Sequence, residues 1–516
     1  MSPLLIVALL LFAVLGAPLF AVFGAASMSL FAGLEDTSVT GAAHDVFSEK
    51  FADSPLMVTI PLFIFAGYML AESGTPRRIV ELSRAWLGWM PGGLAIVCIG
   101  ASAFFTTFTG GSGITIVAIG GLLLPALLKN GYPEKFSLGL VTTGGALGIT
   151  FFPCLPLIVY GIVAGLQETP PGVEKLQLDK LILAGIMPGL LIIGLLVLYS
   201  MVFGITHKLP RSSFDRKEAF SALWEAKWEL LLPFIIAPAF ARFGPVPAAA
   251  LTALYVLVFE VFFTKDLSLT RDLPRVAPDS MVLVGAIFVK LCAATVLTFY
   301  FVDAQVADRI FETLTCGPEA QAYLAAHSDA IGTCREAVDA LAREGKSAGG
   351  LIDSSLTFLL ALNVFLLVVG MLMDIFSAIV VIVPLIMGIA LHFNINPYHL
   401  GVVFLINLEI GYLMPPMGLN LFIAGFRFNR PVPDLYRVVL PFIGIFGTAL
   451  LITTYVPSLT LALLPESKPA AVAPVTGVGD AAPGEAPALG GTADDCAEPR
   501  PDESFDDFSK RCDFGE

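Results

Sequence analysis

GITFFPCLP, running from Gly148 to Pro156, interrupts an otherwise membrane-grade apolar segment with a glycine and two prolines. GYLMPP, from Gly411 to Pro416, does the same far downstream. Working outward, the first break is preceded by Thr109-Gly-Gly-Ser-Gly113, then LLLP ending at Pro125, then Gly131-Tyr-Pro133. The second is preceded by Met371-Leu-Met-Asp-Ile-Phe-Ser377, then VIVP ending at Pro384, then Asn396-Pro-Tyr398. Pro133 and Pro153 are 20 residues apart, and Pro397 and Pro415 are 18 apart. Residues 93–166 and 352–424 therefore read as one pattern written twice. Helices broken at corresponding places in two halves are the sequence sign of a transporter's binding site.

Composition sets the medium. Of 516 residues, 56% are hydrophobic and 14% charged, against about 25% charged in soluble domains. Apolar runs of helical length recur along the chain, which indicates a bundle of spanning helices and not a barrel. The formal charge of −14 is uneven: residues 465–516 hold 12 Asp and Glu against 4 Lys and Arg. Nothing basic suggests nucleic acid, and the Ala-, Pro- and Gly-rich tail is expected to be disordered. The opening MSPLLIVALLLF has no basic residue before its apolar run and no clear cleavage site, so it reads as a retained helix. Cys98, Cys154 and Cys292 sit in apolar segments. Cys316 with Cys334, and Cys496 with Cys512, share polar segments where disulfides form if those segments are periplasmic; free thiols are the alternative.

Candidate spans are 3–32, 55–72, 136–166, 181–205, 230–243, 245–263, 279–301, 398–424 and 438–464, with hairpins at 93–128 and 352–391. Arg77, Arg78, Arg84, Lys129, Lys135, the cluster from Lys208 to Lys227, Lys265, Arg271, Arg275, Arg427 and Arg430 mark cytoplasmic segments under the positive-inside rule. Loops 34–54, 167–180 and 303–350 fall outside. Hairpin 93–128 then enters from the cytoplasm and 352–391 from the opposite face, which makes an all-α, inverted-topology repeat with two broken helices. The N-terminus is expected in the cytoplasm and the tail in the periplasm. The organisation follows: 1–75 scaffold, 76–166 arm with hairpin and broken helix, 181–301 scaffold, 302–350 arm with a polar insert, 351–426 second hairpin and broken helix, 435–464 last helix, 465–516 tail. In PRRIVELSRAWLGWMP (76–91), Ile79, Leu82, Trp86 and Leu87 share one helical face, with the arginines expected on the other, as in an interfacial helix.

A helix broken in hydrocarbon leaves backbone groups that only protein, water or an ion can satisfy. Half-helix carbonyl ends suit sodium, and half-helix N-termini suit an anion. The tip Gly110-Gly-Ser-Gly113 is expected to meet Thr142 through Pro153, and Asp374 through Ser377 to meet Gly411 through Asn420. Kinked but continuous packing is the competing reading for any single break; four paired breaks favour ion sites flanking a substrate site. Glu409 at membrane depth is expected to brace the second break. Asp374 serves either the ion or a helix cap, and Lys290 either snorkels or pairs with a carboxylate such as Glu409.

The collinear motifs IPLFIFAGYML (Ile60–Leu70), MPGGLA (Met90–Ala95), GGSGITIVAIGGLLLPALLKNGYP, FPCLPLIVYG (Phe152–Gly161) and NLEIGYLMPPMGLNLFIAG (Asn407–Gly425) resemble the DctM-like large membrane subunit of TRAP transporters over residues 1 to about 464. The resemblance implies an elevator-type carrier in the bacterial inner membrane. Sodium as coupling ion would drive import of an organic acid delivered by a periplasmic substrate-binding protein, with a small four-helix membrane subunit as a separate polypeptide. It implies sodium near Ser112, Gly113, Gly145 and Gly148, and again near Asp374, Ser377, Gly411 and Met414. Thr150, Pro153, Pro416 and Asn420 fall to the substrate, and Glu409 to support. Two motifs depart from the family pattern: Met373-Asp-Ile-Phe376 stands for Met-Asp-Pro-Thr, and Met414-Pro-Pro416 for Thr-Pro-Pro.

Two other functions compete. A stand-alone divalent-anion/sodium symporter would need no binding protein. A membrane-embedded enzyme would need a nucleophile and base or metal ligands, and the chain has no HExxH or paired histidines. The expectation is a carrier with no cofactor and no enzymatic activity.

Overall fold

The computed structural model describes residues 19–31, 56–165, 176–210, 213–327, 334–343, 349–352, 354–415 and 418–464. The tail with Cys496 and Cys512, Pro416, most of the loops at 34–54 and 167–180, and the first part of span 3–32 lie outside these residues.

The described residues form helices joined by turns, without strands. Helix α1 (Leu19–Phe31) precedes α2 (Leu56–Glu72). The chain then bends by 69° into α3 (Thr75–Leu87), the expected arm. Helices α4 (Gly93–Thr109) and α5 (Ser112–Lys129) form the first hairpin. The first broken helix is α6 (Glu134–Gly144) and α7 (Leu155–Gly165). Four scaffold elements follow: α8 (Leu178–Thr206), α9 (Arg216–Glu225), α10 (Lys227–Phe243) and α11 (Pro245–Phe263). Helix α12 (Leu273–Asp303), with 31 residues, is about 45 Å long, enough to cross a hydrocarbon core of about 30 Å while tilted.

The polar insert is helical: α13 (Val306–Thr315), α14 (Pro318–Ala326) and α15 (Cys334–Arg343). A Cys316–Cys334 disulfide and a small core of Ala320 and Leu341 hold it together. The second hairpin is α16 (Ser355–Leu372) and α17 (Ile375–His392), and the second broken helix is α18 (Pro397–Gly411) and α19 (Leu419–Phe428). Helices α20 (Val432–Tyr455) and α21 (Pro457–Leu461) close the described chain.

The broken helices are the core. Every residue of α18 from Tyr398 to Gly411 is buried, and so is nearly all of α6 and α7. Protein surrounds the first break, as irregular backbone requires in a membrane, while at the second Met414 is half-buried and Pro415 exposed. Exposed apolar side chains lie on the scaffold, for example Leu198 and Val202 on α8 and Val282 on α12, and also on the outer hairpin helix α16 (Leu356, Val364) and on α19 (Phe426). Polar zippering ties α16, α18, α20 and α21: Asn407 Nδ2 donates to Asn363 Oδ1 at 2.8 Å, Asn363 Nδ2 to Thr454 Oγ1 at 3.2 Å, and His399 of α18 reaches Thr460 Oγ1 of α21 at 2.9 Å.

The arm departs from the expected pattern in one respect. Arg77 and Arg84 are exposed, but Arg78 is buried. Its guanidinium pairs with Glu229 of α10, with Glu260 of α11 at 3.2 Å, and with Asp266. Thr75 Oγ1 donates to Glu260 at 2.9 Å, and Gly74 N donates to Asp266 at 2.9 Å. A guanidinium fork can satisfy several carboxylates at once, so tertiary pairing overrides the face that helical spacing assigns.

Candidate functional site

The first hairpin tip is interior, with Thr109, Gly110 and Ser112 buried, while at the second Ile375 is buried, Met373 and Asp374 are partly buried and Leu372 is exposed. At the first tip Gly110 takes φ +63°, a left-handed value that glycine adopts without a Cβ penalty. It ends α4, and Gly111 restarts the chain toward α5. Thr106 and Thr115 bridge the limbs, Oγ1 to Oγ1, at 2.8 Å. A one-turn widening at Ile116–Gly120 follows, a feature that recurs at functional sites in helices.

The first break is not extended chain. Ala146 N bonds Thr143 O, Leu147 N bonds Gly144 O, Phe151 N bonds Gly148 O, and Cys154 N bonds Phe151 O. Tight three-residue turns thus replace the helix and leave the carbonyls of Gly145, Ala146 and Leu147 without backbone donors among the described residues. Gly145 lies against the tip: a Cβ there would sit 2.5 Å from the Ser112 carbonyl oxygen. Gly113 faces Ile423 of α19. Gly148 packs on the last turn of α4, at Ala103, Thr106 and Thr107, with Thr107 Oγ1 also near its carbonyl at 3.4 Å. The Phe152–Pro153 peptide is cis, and Pro153 is buried. Thr150 faces elsewhere, packed under Gly185 and Gly189 of α8.

At the second tip Asp374 caps α17, with Ser377 N to Oδ2 at 3.3 Å and Ser377 Oγ to Oδ1 at 2.7 Å. Lys290 Nζ of α12 also donates to Oδ1, at 3.0 Å. Lys290 therefore pairs with Asp374 and not with Glu409. Tyr412, just past α18, accepts the Ile375 N–H on its hydroxyl and so fastens the tip to the second break. Gly411 and Gly370 let α18 and α16 touch backbone to backbone, since a Cβ on Gly411 would lie 2.6 Å from Gly370. Met414 is half-buried, and the turns Leu413 N to Ile410 O and Met414 N to Gly411 O tighten the break. Asn420 N returns to Tyr412 O at 3.2 Å.

One cavity of about 580 Å³ joins these parts. Its walls include Ser112, Leu155, Lys290, Asp374, Glu409 and Leu419, so both tips and both breaks contribute. Of the buried polar atoms without a hydrogen-bond partner among the described residues, Glu409 Oε2 belongs to a residue lining the cavity, while Thr142 Oγ1 and both amide atoms of Asn420 lie in α6 and α19. No His, Cys, Asp and Glu grouping suited to a metal ion of the zinc type occurs among the described residues. Lys290 and Tyr412 are the contributors that sequence spacing did not assign to the site.

Discontinuous helices and two hairpin tips that share one partly open cavity make up a multi-helix membrane protein of the transporter type. Residues 6–459 match the family model of the tripartite ATP-independent periplasmic transporter, DctM component, and the chain belongs to that family of large permease subunits. The C4-dicarboxylate TRAP transporter large permease DctM of Vibrio cholerae is 30% identical over 88% of this chain and 95% of its own length. The corresponding Rhodobacter capsulatus protein is 29% identical over 90% and 99%. The isethionate TRAP transporter permease DctMQ of Oleidesulfovibrio alaskensis is 31% identical over 87% of this chain, which spans 64% of the length of that protein. The solved YdaH transporter of Alcanivorax borkumensis shares the fold, with a TM-score of 0.56 at 13% identity, over 89% of this chain and 99% of that one.

Proposed function

We propose that this large permease subunit imports an organic acid into the bacterial cytoplasm, driven by sodium and supplied by a periplasmic binding protein. The observation that carries the reading is the shared cavity, lined by both hairpin tips, by the starts of the helices that follow both breaks, and by Asp374, Lys290 and Glu409. Free carbonyls at Gly145–Leu147 beside Ser112 suit a hard monovalent cation. The starts of α7 and α19 present the positive ends of helix dipoles, which favour an anion. The substrates named for relatives include C4-dicarboxylates and isethionate, which are small anions. A small membrane subunit would cover the exposed apolar scaffold faces. In this reading the two halves are inverted repeats, the N-terminus is cytoplasmic, and the hairpins with the broken helices move as an elevator against the scaffold.

The test is reconstitution of the chain with its small subunit and binding protein in liposomes. Uptake across a panel of C4-dicarboxylates, sulfonates, sugar acids and keto acids would be followed with and without an inward sodium gradient. Uptake of at least one acid only with the gradient and the binding protein supports the reading. Uptake without the binding protein favours the stand-alone symporter.

A further inference from the structure

The two tips differ in a way that bears on how many ions the carrier takes. At the first tip, which shares its cavity with Lys290, no Lys or Arg among the described residues donates to Ser112 or to the first break, and Arg427 Nε donates instead to the Val117 carbonyl further along that hairpin at 3.2 Å. At the second tip the only carboxylate, Asp374, is already engaged. Its Oδ1 accepts Lys290 Nζ at 3.0 Å and Ser377 Oγ at 2.7 Å, and its Oδ2 accepts the Ser377 amide. Lys290 is the one Lys or Arg among the described residues lining the cavity. It comes from α12, which packs along α1, α2 and α17. A lysine within an apolar span is costly unless a counter-charge meets it, and Asp374 supplies one.

We infer that the Lys290 ammonium is a built-in counter-ion that occupies the second tip in place of sodium, leaving the carrier one sodium site, at the first tip. This rests on the sodium reading above and refines it. Ammonium and sodium carry the same charge, and both seek carboxylate and hydroxyl oxygens. The lysine is tethered 84 residues away on a neighbouring helix, so its local concentration at Asp374 far exceeds that of a dissolved ion. A sodium ion added at the same oxygens would sit within a few ångströms of the ammonium in a partly desolvated setting, where like charges repel strongly. The residues present at the second tip thus fit a lysine and not a second sodium.

The test counts sodium bound to the purified full-length chain, using radioactive sodium with choline chloride to hold ionic strength. The wild type is expected to bind one sodium per chain without cooperativity. Lys290→Met should bind two, the double variant Lys290→Met/Asp374→Asn should return to one, and Lys290→Arg, which keeps the charge, should stay at one. Two ions bound by the wild type would overturn the inference while leaving the sodium reading intact. One ion bound by a folded Lys290→Met chain with unchanged affinity would overturn it too, and loss of acid uptake in that variant would recast Lys290 as a substrate contact. No sodium bound by any of the chains would overturn both readings. If Lys290→Met fails to fold, Lys290→Gln is the second variant, with the same expected and contrary outcomes.

Discussion

Gly145 lies directly against the Ser112 carbonyl, so closely that a Cβ at position 145 would stand 2.5 Å from that oxygen and 3.0 Å from Ile116 Cγ1. This contact joins the first break to the first tip, and both neighbours belong to packed backbone or a buried side chain. Gly145→Ala is therefore expected to destabilise the protein by about 1–3 kcal/mol through overpacking. Thermal denaturation in detergent checks it. A melting temperature equal to wild type would mean the tip and the break are not in contact.

The clasp around Arg78 yields a second prediction. Removing the guanidinium leaves Glu229, Glu260 and Asp266 near one another without their cation. Arg78→Ala should cost about 3–5 kcal/mol, the range for breaking a buried ion pair from one side. Arg78→Lys should fall between, since it keeps charge but loses the planar fork. Denaturant titration of the purified chain distinguishes the three proteins.

How much of this was legible in sequence depends on range. Glycines and prolines at Gly110, Gly145, Gly148, Pro153 and Gly411 announce breaks because their backbone limits act locally. The hairpins and the broken helices are readable for that reason, whereas the Cys316–Cys334 disulfide is one of two open alternatives in the sequence and is seen only in the structure. Arg78 was misplaced because helical periodicity sees only its own helix, while its partners come from more than 150 residues away. Lys290 and Asp374, 84 residues apart, escaped for the same cause. The tight turns that close the breaks are not legible in the sequence, because buried amides take the nearest acceptor the fold offers.

Glu409 is 3% exposed, lines the cavity and has an unpartnered Oε2. Glu409→Gln keeps its shape and removes its charge. Uptake should fall about tenfold, equivalent to ~1.4 kcal/mol, with unchanged amounts of protein in the membrane. Quantitative blotting beside an uptake assay measures both. Wild-type uptake by the variant would show that the carboxylate takes no part in transport.

The insert is a separate matter. Its disulfide closes a segment of 18 residues, worth about 3 kcal/mol in chain-entropy accounts. Cys316→Ser should make α14 and α15 more sensitive to limited proteolysis while leaving uptake unchanged. Loss of uptake would tie the insert to the transport cycle.

The central claim is that the first tip and the first break together hold the driving cation. Sodium titration of acid uptake by Ser112→Ala in the reconstituted system tests it most directly. The half-saturating sodium concentration should rise about 3–10-fold, the scale of one lost neutral oxygen contact, with maximal uptake at saturating sodium retained. Superimposable titration curves for variant and wild type would contradict it.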